Sequence, residues 1–143
     1  PAQRIALFLK VVEAVAYAHR ELVVHRDLKP ANVLVTAAGE VKLLDFGIAK
    51  LLDDDSAADA ALTQVTGRAA TPDYAAPEQL GGGAITVATD VFALGVMMFE
   101  MLTGEMPFDT STPERTMTAR LIESPRTLAE AKGDVNWPPA LGH

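Results

Sequence analysis

Apolar residues recur at helical spacing over residues 2–21. Ile5, Phe8, Leu9, Val12, Val15 and Ala16 form a stripe three and four residues apart, with Arg4, Lys10, Glu13 and Arg20 largely off it. An amphipathic helix is the reading. Val23-Val24 then leads into a polar stretch that reads as a loop over 22–32, because Pro30 cannot sit inside a continuing helix. Val33-Leu34-Val35 and Val41-Lys42-Leu43-Leu44 are short β-prone runs joined by Thr36-Ala37-Ala38-Gly39-Glu40, which predicts a hairpin over 33–44. No clean period survives from Leu51 to Ala70, and a connection of this length in a compact domain points to a functional or a disordered segment.

The next strong element spans 87–102. Val91, Phe92, Ala93, Leu94, Val96, Met97, Met98 and Phe99 leave almost no polar face, so this helix belongs in the interior. Asp90 near its start must then be hydrogen-bonded, since a buried carboxylate without partners is costly. Thr86 or Thr89 suits the cap, and Gly95 in mid-helix implies a closely packed neighbour. Gly81-Gly82-Gly83 reads as a flexible joint. Pro113 after Ser111-Thr112 opens a shorter helix over 112–123, and beyond Ser124-Pro125 the pattern is irregular.

Composition narrows the function classes. At 143 residues and 49% hydrophobic content the chain suits one folded domain or lobe. A net charge of −7 argues against a general nucleic-acid or anionic-membrane binder. Without cysteine there is no disulfide, thiol nucleophile or zinc–thiolate site. The longest apolar run stops at Glu100, short of a membrane span, and a cytoplasmic location is expected. The chain opens directly in helical pattern at Pro1, without Met, so a piece of a longer protein is the expectation.

The chemistry concentrates in His25-Arg26-Asp27-Leu28-Lys29-Pro30-Ala31-Asn32, and Asp45-Phe46-Gly47 follows 13 residues after Asn32. One β-run follows Asn32 and the other precedes Asp45, so a hairpin returns both to the same end of the ribbon. An amide and a carboxylate there could hold a hard divalent cation through oxygen. The acidic turn Asp53 to Asp55 reads as solvated loop rather than a metal site.

These motifs, with Ala76-Pro77-Glu78, resemble the eukaryotic-type (Hanks-type) protein kinase family from Pro1 to at least Ile122, and Lys29 two after Asp27 is the serine/threonine pattern. Thr71-Pro72-Asp73-Tyr74 and the alanine-rich composition are similar to bacterial members. The fold implied is α+β, mainly α: a helical C-terminal lobe around a central buried helix, with a small hairpin at the catalytic loop. The resemblance implies Asp27 as catalytic base and Lys29 near the γ-phosphate. It makes Asn32 and Asp45 ligands of Mg2+ on ATP, and sets Leu34 under the adenine. Thr71 would shape the hydroxyl-acceptor site. His25 and Phe46 would belong to an apolar column, with Gly47, Glu78 and Asp90 structural. In the family Glu78 pairs with a later arginine, which is not identifiable in this sequence. Taken by itself, His19 reads as a surface residue, as does His143.

Arg26 beside Asp27 implies control by phosphorylation of an activation segment over 45–78, with Thr63 and Thr66 as acceptors and Arg26 and Lys50 as the pairing cations. The resemblance departs at the front: no glycine-rich loop or strand lysine precedes Asp27. The N-terminal β lobe is therefore expected to be missing from these residues, and the segment alone to be inactive. Partners implied are protein substrates with Ser or Thr acceptors. The intact protein could also be the cytoplasmic part of a membrane-anchored receptor kinase. Two rival functions stand beside this one. A non-catalytic kinase-like scaffold would carry a damaged small lobe upstream. A small-molecule phosphotransferase of the aminoglycoside type is disfavoured by Lys29 and Ala76-Pro77-Glu78.

Overall fold

Helix α1 (Ala2–Arg20) packs its Val11, Val15 and Ala18 stripe inward, with Phe8 and Val12 partly buried beside it. The computed structural model to which it belongs describes residues 2–46, 72–133, 135 and 137. The buried stripe is rotated from the expected one, and Ile5 and Leu9 face out. Several adjoining helical rows of α1 are apolar, so its neighbours decide which row is covered. The helix stops at Arg20; Leu22, two residues on, has a φ of 60° in the left-handed region, and Val23 N donates back to Ala18 O at 2.9 Å.

The hairpin forms as expected, from β1 (Val33–Val35) and β2 (Val41–Leu43), antiparallel, with Val33 opposite Leu43 and Val35 opposite Val41. Its turn is closed by Thr36 N to Glu40 O at 2.9 Å and Gly39 N to Thr36 O at 2.8 Å. Gly39 has φ 75°, which a side chain would oppose. Lys10 Nζ on α1 donates to Gly39 O at 2.6 Å and ties the turn to the helix.

A short helix, α2 (Pro77–Gly81), follows the 3-10 turn Pro72–Tyr74. The glycine run is an ordered cap rather than a joint: Gly82 is left-handed at φ 71°, and Gly83 N donates to Glu78 O at 2.7 Å. A Cβ on Gly83 would come within 2.9 Å of Glu78 Cβ, which explains the glycine there.

Helix α3 (Val87–Thr103) begins at Thr86, whose hydroxyl accepts from Ala88 N at 3.2 Å, and Thr89 Oγ1 accepts from Thr86 N at 3.2 Å. Thr89, Asp90, Ala93, Leu94, Val96 and Met97 are buried. The helix is not covered all round, however. Val87, Val91 and Gly95 form an exposed row, with Val91 58% exposed, and nothing lies within 4 Å of a Cβ built on Gly95. Gly95 is therefore not explained by a close neighbour. The core joins Val11 and Val15 of α1 to Leu28 of the polar loop and to Ala93, Leu94 and Met97 of α3.

Helix α4 (Pro113–Ile122) is capped by Thr112, whose side chain accepts from Arg115 N at 3.1 Å. The stretch read as irregular holds one more short helix, α5 (Leu128–Ala131), capped by Thr127, and Trp137 Nε1 donates to Lys132 O at 3.2 Å. No helix among the described residues is long and apolar enough to cross a membrane. Gly47, Lys50, Thr63, Thr66, Thr71 and His143, and most of the expected activation segment, lie outside the described residues.

Candidate functional site

Asp90, in the first turn of α3, is 0% exposed and organises the polar loop. Its Oδ2 accepts from His25 N at 2.8 Å and its Oδ1 from Arg26 N at 2.9 Å. His19 Nε2 lies 2.7 Å from Oδ2. The surface expectation for His19 is thus corrected: it is half-buried against the carboxylate. Three donors answer the cost of burying this acid.

The loop between them is backed by tight local bonding. Arg26 takes a φ of 70°, a left-handed conformation that costs a non-glycine residue on the order of 1–3 kcal/mol and persists only when its surroundings hold it. The His25 ring is fully buried. Its Nε2 donates to Leu44 O at 2.9 Å and its Nδ1 accepts from Asp27 N at 3.3 Å. The ring also packs on Phe46, with centroids 4.6 Å apart. Pro30 starts a 3-10 turn, Pro30–Asn32, so the expected loop contains one short helical turn. Asn32 N donates to Lys29 O at 2.9 Å.

That turn swings three side chains together. Asn32 Nδ2 donates to Asp27 O at 2.8 Å and to Asp27 Oδ2 at 3.2 Å, while Lys29 Nζ lies 3.2 Å from the same Oδ2. The Asp27 and Lys29 side chains are only partly buried, so an incoming group can reach them. Across the hairpin, Leu44 N donates to Asn32 O at 2.9 Å, which sets Asp45 beside Asn32 at the end of the ribbon. Asp45 is exposed and left-handed at φ 50°. Leu34 is exposed on β1. No group of three His, Cys, Asp or Glu capable of holding a metal occurs among the described residues. Oxygen-bearing side chains at this end of the ribbon are those of Asn32, Asp27 and Asp45.

Further contacts surround the loop, made by Gln79, Tyr74 and Arg120, to which the sequence assigned no role, and by Glu78, which the resemblance marks as structural. Gln79 at α2 donates from Nε2 to Arg26 O at 2.7 Å and accepts Ala76 N on Oε1 at 3.0 Å. Glu78 Oε1 accepts from Thr89 Oγ1 at 2.7 Å, joining α2 to α3 through a hydroxyl. Tyr74 Oη donates to Glu100 Oε2 at 2.6 Å. Burial first, then the adjacent Glu100 carboxylate, push the phenol well above its ordinary range. Arg120 on α4 is 4% exposed and reaches the carbonyls of Asp73 and Ala75, the latter at 3.2 Å. Its guanidinium lies 5.2 Å from the Phe92 ring and 4.6 Å from the Phe108 ring, its Nε has no hydrogen-bond partner among the described residues, and burial pulls its pKa down. Apart from the Ala76–Gln79 bond, these partners lie 11 or more residues apart, and only the polar residue types hinted at them.

A cleft of about 520 Å³ lies between α1 and α3, lined mainly by Leu7, Phe8, Val11, Val33, Met97 and Met101. Arg4 and Glu100 also line it, and neither Asp27 nor Asp45 does.

Comparison with known proteins places this geometry. Residues 1–140 match the protein kinase domain family. The probable serine/threonine-protein kinase PknB of Lactococcus lactis is 43% identical over 107 residues, 75% of this chain and 16% of the relative. The serine/threonine-protein kinase PrkC of Bacillus subtilis is 38% identical over 141 residues, 99% of this chain and 20% of the relative. The serine/threonine-protein kinase PknB of Mycobacterium tuberculosis is 34% identical over 125 residues, 87% and 20% respectively. The chain thus spans about a fifth of the length of these curated relatives.

Proposed function

Because the chain belongs to the protein kinase domain family, and the relatives described are bacterial serine/threonine-protein kinases, we propose that the full-length protein moves the γ-phosphate of ATP to serine and threonine hydroxyls of proteins. The observation that carries this is the meeting of Asp27, Lys29 and Asn32 on one carboxylate oxygen, over a loop gripped by Asp90. In this assignment Asp27 orients the acceptor hydroxyl and takes its proton. Lys29, already beside Asp27, offsets charge on the transferred phosphate. Asn32 gives its Nδ2 to Asp27, which leaves the amide oxygen as the atom that can take a cation. Asn32 and Asp45 would hold Mg2+ on ATP, an ion that neutralises phosphate charge when bound. Leu34 would meet the adenine, and Thr71 would shape the acceptor site. Regulation through Thr63 or Thr66, paired by Arg26 and Lys50, belongs to the same proposal.

The test is transfer of labelled phosphate from ATP to Ser/Thr peptides by the full-length protein. Asp27→Asn should lower kcat by about 10²–10⁴-fold with the fold intact by circular dichroism. Wild-type-like transfer by that variant would remove Asp27 from the role. A wild-type protein that phosphorylates only small hydroxylated molecules, or nothing, would favour one of the two rival functions.

A further inference from the structure

The peptide group between Arg26 and Asp27 decides where the Asp27 side chain points, and its backbone is in an uncommon conformation. Arg26 sits at φ 70°. Its amide is held by Asp90 Oδ1 at 2.9 Å. On the far side of the residue, the Arg26 carbonyl takes a 2.7 Å hydrogen bond from Gln79 Nε2, and the following amide, that of Asp27, donates to His25 Nδ1 at 3.3 Å. Both ends of this one peptide plane are therefore tied to side chains. The Gln79 amide cannot serve equally well flipped, because its oxygen is engaged by Ala76 N at 3.0 Å. Gln79 stands 53 residues from Arg26 in the first turn of α2, just after the segment that carries Asp73 and Tyr74.

We propose that Gln79 is a positioning residue for Asp27: its amide clamps the Arg26 carbonyl to the backbone at Ala76 and so fixes the plane from which the Asp27 carboxylate projects. This rests on Asp27 acting on the acceptor hydroxyl. The clamp joins the loop that bears the base to the segment just before α2, so the two keep a set relation. Its loss would misdirect the carboxylate without touching the nucleotide, because positioning errors of about 1 Å at a reacting group carry large rate costs.

The experiment separates this from simple helix capping. Gln79→Glu keeps an oxygen for Ala76 N but sets a carboxylate oxygen against the Arg26 carbonyl. In the full-length protein this variant should melt near the wild-type temperature, with kcat for a Ser/Thr peptide about five- to tenfold lower and KM for ATP within twofold. Gln79→Met, which lacks both bonds, should show the same kcat loss with a lower melting temperature, and decides the matter should the Glu variant not fold. A Glu variant with wild-type kcat would overturn the proposal, as would a loss expressed mainly in KM for ATP. Asp27→Asn in parallel keeps the two failures apart. If Asp27→Asn is fully active, the role of Asp27 falls; if it is inactive while Gln79→Glu is not impaired, only the clamp falls.

Discussion

Leu22 is 92% exposed and adopts φ 60° just after α1, where the chain reverses. A left-handed leucine there carries steric strain that glycine avoids, and its side chain contributes no burial in return. Leu22→Gly should therefore stabilise the fold by about 0.5–1 kcal/mol, read as a higher urea midpoint at unchanged slope. A lower midpoint would show that the leucine makes up for its backbone in some other way. Arg26 and Asp45 share the left-handed conformation but sit at the site, where the same strain aims side chains. No residue type in the motif announced this. Arginine and aspartate say what chemistry is available, and the backbone angle comes from Asp90, Gln79 and Asn32 holding the loop. The half-buried place of His19 is likewise not written in its neighbours: its partner lies 71 residues away, beyond any local pattern.

Elements were more legible than contacts. The period of α1, the β-prone runs joined through Gly39 and the Thr112-Pro113 start of α4 are local signals, and each element formed within two residues of its expected place. What the period could not decide was which face of α1 or α3 would be covered, since both helices carry more than one apolar row. The burial of Arg120 was invisible for a further reason. Its two aromatic neighbours come from α3 and from the loop before α4, and its acceptors from the turn at Asp73. The start of α4 also yields a pH prediction. Hydrogen bonds from the Ser111 side chain and amide, then from Arg115, hold the Asp109 carboxyl at about 2. A carboxylate depressed in the folded state adds stability above its unfolded value of about 4, and that contribution disappears as pH falls toward 2. Amide protection at residues 111–115 should therefore weaken between those values in the native protein, and Asp109→Asn should abolish the pH dependence. An Asp109 carbon resonance titrating near 4 would contradict it.

At the level of the whole molecule, the Asp27 loop, the hairpin end and the segment before α2 converge although 63 residues separate Asp27 from Asp90 in the chain. The hairpin part of this was readable, because strand pairing returns Asn32 and Asp45 to one end by geometry alone. The role of α3 as the common anchor was only half readable, through a carboxylate in an apolar helix. If the full-length protein is switched by phosphorylation as proposed, Thr63→Ala/Thr66→Ala should lower its kcat by about tenfold or more, because two negative charges near Arg26 and Lys50 would no longer order the loop. Equal rates for the double variant and the phosphorylated wild type would end that part of the proposal.

Asp90 and Glu100 are ten residues apart on one rigid rod, the first gripping the His25–Arg26 backbone and the second gripping Tyr74. Helix α3 is in this sense a ruler of about 15 Å with a hook at each end. One residue inserted between the hooks would lengthen the ruler by about 1.5 Å and turn one hook about 100° from the other. Substitutions along that stretch can be absorbed one at a time, but its count of residues cannot change without pulling loop and turn out of step.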